Sequence, residues 1–307
     1  MGTPDFAVES LRRLVEGGYD VVGVVTMPDK PMGRHQDTLQ PSAVKRYAVE
    51  HGLPVLQPER LKDPEFLEQL RALRPDVGVV VAFRMLPEVV WSMPTHGTFN
   101  LHAALLPQYR GAAPINWAII NGDRETGITT FFLDHDIDTG RVISQVRVPI
   151  HDDDDAEAVH DRLMMLGGDL VCQTIDALEA GTVSAIDQSE MTTGEPLRPA
   201  PKIFKETCEI EWGSRDVDGH YNFVRGLSPY PAAWTTMPDG RVMKVYRTER
   251  EHADHTEAIG SWHTDGRTYI KVAVRGGYLR LTDLQIAGKK RMPVADFLRG
   301  AKLNFIS

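Results

Sequence analysis

Asn100 and His102 stand two positions apart in the segment FNLH. Phe99–Leu101 reads as the end of a strand, where alternate side chains share a face, so both residues point the same way. An amide and an imidazole on one strand edge suit a reaction in which a carbonyl oxygen gains negative charge while a proton moves. Such a pair more often serves turn and core hydrogen bonds. Downstream, LLPQYRGAAP at 105–114 joins apolar anchors to Gly111 and two prolines, which predicts a fixed loop rather than a strand or helix. Tyr109 and Arg110 in that loop either grip a substrate or shape the turn. The run HDIDTG at 135–140 follows Asp134 directly and sets three acids, Asp134, Asp136 and Asp138, within five positions. Crowded carboxylates raise one another's pKa. Hard cations take oxygen ligands, but the Gly and Glu positions of a calcium-binding helix–loop–helix are not met. Asp152–Asp155 is expected at a solvated helix N-terminus, where negative charge favours the dipole. DKPMGR at 29–34 places Lys30 and Arg34 in a Pro/Gly loop, as surface or as a phosphate contact.

The elements that must position these residues alternate in the first half. Phe6–Glu16, Ser42–His51 and Pro64–Leu73 have helical spacing with Gly or turn stops. Asp20–Thr26, Pro54–Gln57 and the apolar run Asp76–Ala82 read as strands, the last buried on both faces. Strand and helix in alternation imply an α/β domain with a parallel sheet. TTFFLD and RVISQVRVPI follow as two strands, then a helix over about Ala156–Ala180. GEPLRPAPK at 194–202 marks a linker. Beyond it a helix near Asp216–Leu227 precedes AAWTTM, RVMKVYRTE, RTYIKVAVR and YLRLTDLQI, short strands that suggest a small antiparallel barrel. Met1 stands directly against Gly2-Thr3-Pro4, whereas a doubly wound sheet opens with a strand before its first Gly turn. The expectation is a start further upstream; without that strand the sheet loses a buried member.

Length and composition fit this plan. At 307 residues two domains are expected. Apolar residues at 42% and charged residues at 25% are those of a globular chain. No run approaches a membrane span, and the N-terminus has no signal-peptide pattern. Two distant cysteines, Cys172 and Cys208, exclude a disulfide framework and a Cys-based zinc site, and suit a reducing cytoplasm. The net charge of −9 hides a split. Residues 1–200 carry 17 Lys and Arg against 30 Asp and Glu, while residues 201–307 carry 17 against 13. An acidic body joined to a basic module fits chemistry in the first and an anionic partner for the second, or ordinary scatter. GxGxxG, GxxxxGK[ST] and GxSxG are all missing, so NAD, ATP and serine-hydrolase chemistry are unsupported.

GTPDFA at 2–7, PDKPMGR at 28–34, NLHAALLPQYRGAAPINWAIINGD at 100–123, ETGIT and HDIDTG within 125–140, LRPAPKI at 197–203, GLSPYPAAW at 226–234 and AGKKRM at 287–292 occur in this order. Together they closely resemble the methionyl-tRNA formyltransferase family, essentially end to end. The resemblance implies a Rossmann-like formyltransferase domain over 1–188, a linker over 189–204 and an OB-like, tRNA-binding β-barrel over 205–307. It implies transfer of formyl from 10-formyltetrahydrofolate to the amino group of initiator methionyl-tRNA, without a metal. The family's catalytic Asn, His and Asp fall on Asn100, His102 and Asp138. Asn100 would hold the formyl oxygen as it becomes an oxyanion. His102 would polarise that oxygen or manage the proton of the amine, and Asp138 would orient His102 and assist proton transfer to N10. The folate contact falls on Ala104, Leu105, Leu106 and Pro107, with Ala104 where Ser is usual. The pterin pocket falls on backbone near Phe83, Arg84, Met85 and Leu86 and on the loop Asp134–Asp138. Lys289, Lys290 and Arg291 would meet the tRNA acceptor arm, and Lys30 and Arg34 its end. His35-Gln36-Asp37 replaces the family's usual Gly and lysines in that loop. The family also implies a monomer. Alternatives on the same scaffold are another 10-formyltetrahydrofolate-dependent formyltransferase, a folate hydrolase and a catalytically silent tRNA-binding protein.

Overall fold

The computed structural model describes residues 1–32, 38–191 and 194–300, so Arg34 and His35-Gln36-Asp37 lie outside the described residues. In chain order the elements are α1 (Asp5–Glu16), β1 (Val24–Val25), β2 (Lys30–Met32), β3 (Thr38–Gln40), α2 (Ala43–Glu50), β4 (Val55–Leu56), α3 (Pro64–Ala72), β5 (Gly78–Val81), α4 (Glu88–Trp91), β6 (Thr98–His102), α5 (Pro114–Ile120), β7 (Glu125–Phe132), β8 (Val142–Pro149) and α6 (Ala156–Glu179). After the linker come α7 (Val217–Leu227), β9 (Ala233–Thr236), β10 (Val242–His252), β11 (Trp262–Thr264), β12 (Ile270–Val274), β13 (Gly277–Ile286), β14 (Met292–Pro293) and α8 (Val294–Gly300). None of the described helices is long and apolar enough to cross a membrane.

Side-chain caps start several of the helices. Ser42 Oγ accepts from the Lys45 amide at α2, Asp63 from Glu65 at α3, and Asp216 from Gly219 at α7. Each satisfies an amide that the first turn leaves without a partner. Asp155 does the same for Ala158 at the start of α6. Its neighbour Asp154 is buried and accepts from the His151 amide, and Asp152 pairs with Arg250. The acidic run is therefore part solvated cap and part internal strap.

Two compact units result. The first comprises Met1–Gly111, Thr126–Val148 and His160–Pro199. The second takes Ala112–Glu125, Pro149–Val159 and the chain from Ala200 onward. In the first unit β5-β6-β7-β8 form one sheet and β1-β4 a separate parallel pair. The parallel expectation holds for β1–β4 and β5–β6, but β6 and β7 run antiparallel. The segment joining them carries one helix, α5, which belongs to the second unit. Only Val24–Val25 of the expected strand Asp20–Thr26 is paired, since β4 offers just two residues. Gly2 donates to Val25 O at 3.0 Å, Val81 donates to Met1 O at 2.9 Å, and Gly2 bridges Val81 in parallel. A cavity of about 570 Å³ opens beside these contacts, lined by Met1, Leu11, Leu14, the valines of 21–25, and Val77, Val79 and Val81. A core of Val25, Phe66, Leu70, Val80, Leu86 and Val90 packs this unit.

In the second unit the strands pair in the order β11-β12-β13-β10-β9, with β14 on β13. Where a small barrel was expected, the described pairings form an open antiparallel sheet with β11 and β9 as its ends. β10 shifts register around Arg247, a bulge that bends the sheet. Phe223, Leu227, Met243, Val245, Leu279 and Leu281 form its buried centre.

Candidate active site

β6 is buried at Thr98, Phe99, Leu101 and His102, with Asn100 half-buried. It lies between β5 and β7, where Asn100 faces Val80 and Phe131 and His102 faces Thr129. Asn100 and His102 thus share one face at the carboxyl end of an inner strand. The Asn100 Oδ1 atom is buried and has no hydrogen-bond partner. Such orphaned polar atoms are uncommon in folded proteins and call for a reason.

His102 is held through Nε2 and faces Asp138 with Nδ1. Nε2 lies 2.9 Å from Tyr109 O. A carbonyl only accepts, so Nε2 carries the proton and Nδ1 holds the free electron pair. Nδ1 faces Asp138 Oδ2 at 3.7 Å, beyond hydrogen-bond distance, and the two form an ion pair only when the imidazole is protonated. His102 is buried and Asp138 half-buried, and the ring of Phe131 stands edge-on to the imidazole. Tyr109 offers its carbonyl from a left-handed backbone, φ +60°. Its amide donates to Arg198 O at 2.7 Å and the Arg198 guanidinium lies over its ring. Tyr109 therefore shapes the loop through its main chain.

Asp138 is also left-handed, φ +56°. Its Oδ2 accepts from the Gly111 amide at 2.9 Å. Gln188, absent from every sequence-level expectation, donates from Nε2 to Asp138 O and Gly140 O and accepts from Arg110. Of the two readings left open for Arg110, its bonds to Gln188 favour the one in which it shapes the loop. Asp134 and Asp136 are exposed, whereas Asp138 is half-buried. No cluster of His, Cys, Asp or Glu that could hold a metal occurs among the described residues.

The loop after His102 is stapled to the sheet. Thr129 Oγ1 donates to Ala104 O at 2.6 Å, while Gln145 Nε2 donates to Leu106 O and to Thr129 Oγ1. Ala104, Leu106 and Pro107 are buried and Leu105 is half-buried, so this run presents mainly backbone. Leu106 anchors on Phe131 and Val142. Phe83 is half-buried and Leu86 buried, both against the first unit's core. Arg84 donates to the carbonyls of Pro58 and Glu59, and Met85 is 64% exposed. Thr129 and Gln145 escape sequence reasoning, because a strand Thr and Gln carry no local mark of the loop they hold.

The cationic candidates divide. Lys30, on β2, is exposed. Lys289 and Lys290 are exposed in the turn between β13 and β14. Arg291 bonds Asp283 and lies 4.4 Å over the Tyr246 ring. Asp283 keeps its guanidinium charged beyond the ordinary range.

With this geometry in view, the chain belongs to the formyl transferase family. The family's N-terminal model matches residues 1–175 and its C-terminal domain model residues 202–302. More particularly, it is similar to the methionyl-tRNA formyltransferase of Parabacteroides distasonis, 65% identical over 98% of this chain and 94% of that one. The methionyl-tRNA formyltransferase of Bacteroides thetaiotaomicron is 61% identical over 99% and 95%. Among solved structures, WlaRD, a sugar 3N-formyl transferase crystallised with dTDP and 5-N-formyl-THF, aligns with TM-score 0.67 and 17% identity over 94% of this chain and 97% of that one. HypX from Aquifex aeolicus, in complex with tetrahydrofolic acid, aligns with TM-score 0.58 and 18% identity over 83% and 45%. These two likenesses concern the fold.

Proposed function

We propose that this chain transfers a formyl group from 10-formyltetrahydrofolate to the amino group of initiator methionyl-tRNA. The methionyl-tRNA formyltransferases at 61–65% identity support the substrate pair. The observation that carries the chemistry is buried His102, which faces half-buried Asp138 and shares a strand end with Asn100, whose Oδ1 has no partner.

The amine attacks the formyl carbon, the carbonyl becomes an oxyanion, and the carbon–N10 bond then breaks. Asn100 donates to that oxygen as its charge grows; a preorganised donor of this kind contributes about 3–4 kcal/mol. The donating atom is its Nδ2, since the amide oxygen only accepts. Tyr109 fixes the tautomer, so the basic atom of His102 is Nδ1. Nδ1 takes the proton released by the amine and returns it to N10 as the tetrahydrofolate leaves. Asp138 stabilises the imidazolium between those events. Every proton is accounted for, and the enzyme ends unchanged. The folate would lie along the backbone of Ala104–Pro107 and of Phe83–Leu86, where Met85 and Ile137 offer exposed apolar surface.

The division at 1–188, 189–204 and 205–307 is retained as a functional one, with the C-terminal part an OB-like module that meets tRNA. Its net positive charge supports this, since phosphate contacts position a nucleic acid without reading bases. Lys289, Lys290 and Arg291 are its proposed contacts, with Lys30 and Arg34 those of the first domain. Free Cys172 and Cys208 suit action in the cytoplasm.

The test is to incubate the protein with 10-formyltetrahydrofolate and charged initiator or elongator methionyl-tRNA, measuring formylmethionine and free formate. Formylation of the initiator species is expected. Formate release without tRNA, at the same rate, would instead mark a hydrolase.

A further inference from the structure

The geometry points to Gln188 as a positioning residue that holds Asp138 against His102 during formyl transfer. This inference rests on the catalytic roles proposed above. Gln188 lies on a short 3-10 turn, Gln188–Met191, and is 2% exposed. Both hydrogens of its amide are engaged. Nε2 donates to Asp138 O at 2.9 Å and to Gly140 O at 2.7 Å. Its oxygen accepts from Arg110 Nε at 3.0 Å and Nη2 at 2.6 Å. One side chain therefore ties together two stretches: Arg110-Gly111, whose Gly111 amide holds the Asp138 carboxylate, and Asp138–Gly140, which carries that carboxylate.

The need for such a clamp follows from the backbone. A non-glycine residue in the left-handed region is disfavoured and persists only where its surroundings fix it. Asp138 has φ +56° and no regular secondary structure around it. Its fixed points within the protein are the Gly111 amide at the side chain and Gln188 at the carbonyl. Releasing the carbonyl frees the peptide to relax toward ordinary φ, which swings Oδ2 away from both Gly111 and His102. Gln188 touches neither His102 nor the proposed path of the substrates, so its effect passes through Asp138.

The experiment compares Gln188→Met, of similar length but without donors, and Gln188→Glu, which keeps a partner for Arg110 and lacks the amide donors. In steady-state formylation both variants should lose at least tenfold in kcat, with KM for 10-formyltetrahydrofolate changed less than threefold. In an Asp138→Ala background the Gln188→Met change should cost less than twofold more, because the residue acts through Asp138. Additive losses, or an unchanged kcat, would overturn the inference. Amide exchange gives a readout that needs no turnover. Gly111 N–H should lose at least tenfold protection in Gln188→Met while the amides of β6 keep theirs. Unaltered Gly111 protection overturns the clamp even if formylation itself proves to be the wrong reaction, and lost protection with no transfer by the wild-type chain places the fault in the proposed function alone.

Discussion

Gly140→Ala is the most economical perturbation of the site, because the added atom meets backbone that cannot move away. A Cβ at this position would lie 1.7 Å from Phe132 O and 2.8 Å from its carbonyl carbon. An ordinary carbon–oxygen contact is about 3.3 Å, so roughly 1.6 Å of separation must be opened. Phe132 is bonded through its amide to Arg141 O at 3.0 Å and sits at the end of β7. The loop Asp138–Gly140 is the softer partner and should yield. A shift of that size breaks the 2.7 Å bond from Gln188 to Gly140 O and carries Asp138 off the Gly111 amide. Misplacing a reacting group by about 1 Å costs on the order of a hundredfold in rate. Formylation of methionyl-tRNA should therefore fall about a hundredfold in kcat/KM, near 2.7 kcal/mol of transition-state stabilisation. Overpacking should also cost roughly 1–3 kcal/mol of stability, visible in the thermal midpoint. Gly213→Ala is the control, since a Cβ there meets nothing within 4 Å and should leave both quantities unchanged. Activity of Gly140→Ala within threefold of wild type, with the protein folded, would refute the claim that this loop positions Asp138.

Other consequences are independent of that loop. His220 is fully buried, and burial holds its pKa down to about 4, against 6.5 for the free side chain. The unfolded chain therefore binds one more proton between those values, so stability falls as pH drops from 7 to 4, by roughly 3 kcal/mol. His220→Gln should remove that part of the slope in denaturant titrations, and an unaltered slope would place it elsewhere. Lys289→Ala and Lys290→Ala should each weaken tRNA binding and reduce the salt dependence of log Kd by about one unit, as expected for loss of a phosphate contact. An unchanged slope would remove that turn from the interface. Five alternating apolar β-branched residues joined ahead of Met1 should seat in the cavity of about 570 Å³ between β1 and β5. Burial of about 1.5–3 kcal/mol per side chain exceeds the ordering cost. A net gain of 1 kcal/mol or more should raise Tm by about 2–4 °C, while a Ser/Gly extension of equal length should not.

Much of this architecture is written locally. Ser42, Asp63 and Asp216 are capping residues followed by apolar periodicity, and each starts the helix expected of it. Asn100 and His102 share a face because a strand repeats every two residues, a relation visible in four letters of sequence. The position of Asp138 is different in kind. Its separation from His102 depends on Gly111, Tyr109 and Gln188, and the Gln188 bonds span 50 and 78 positions of chain. No local pattern marks a lone Gln as such a bridge, and Arg110 beside a Gly turn can grip a substrate or shape the loop until its guanidinium is found on that amide. The antiparallel pairing of β6 with β7 was hidden for a related reason. No helix is expected from the sequence at α5, and Ile120 packs in one core with Phe223 and Leu227 of the second unit.

The central claim is that Asn100 stabilises the oxyanion of formyl transfer while His102 Nδ1 moves the proton. Single-turnover formylation of initiator methionyl-tRNA by wild type and Asn100→Ala, at saturating 10-formyltetrahydrofolate, tests it most directly. The expected result is rapid transfer by wild type and a rate lower by about 10²–10³ in the variant, the loss typical of a missing oxyanion donor. Transfer by Asn100→Ala at the wild-type rate would contradict the assignment.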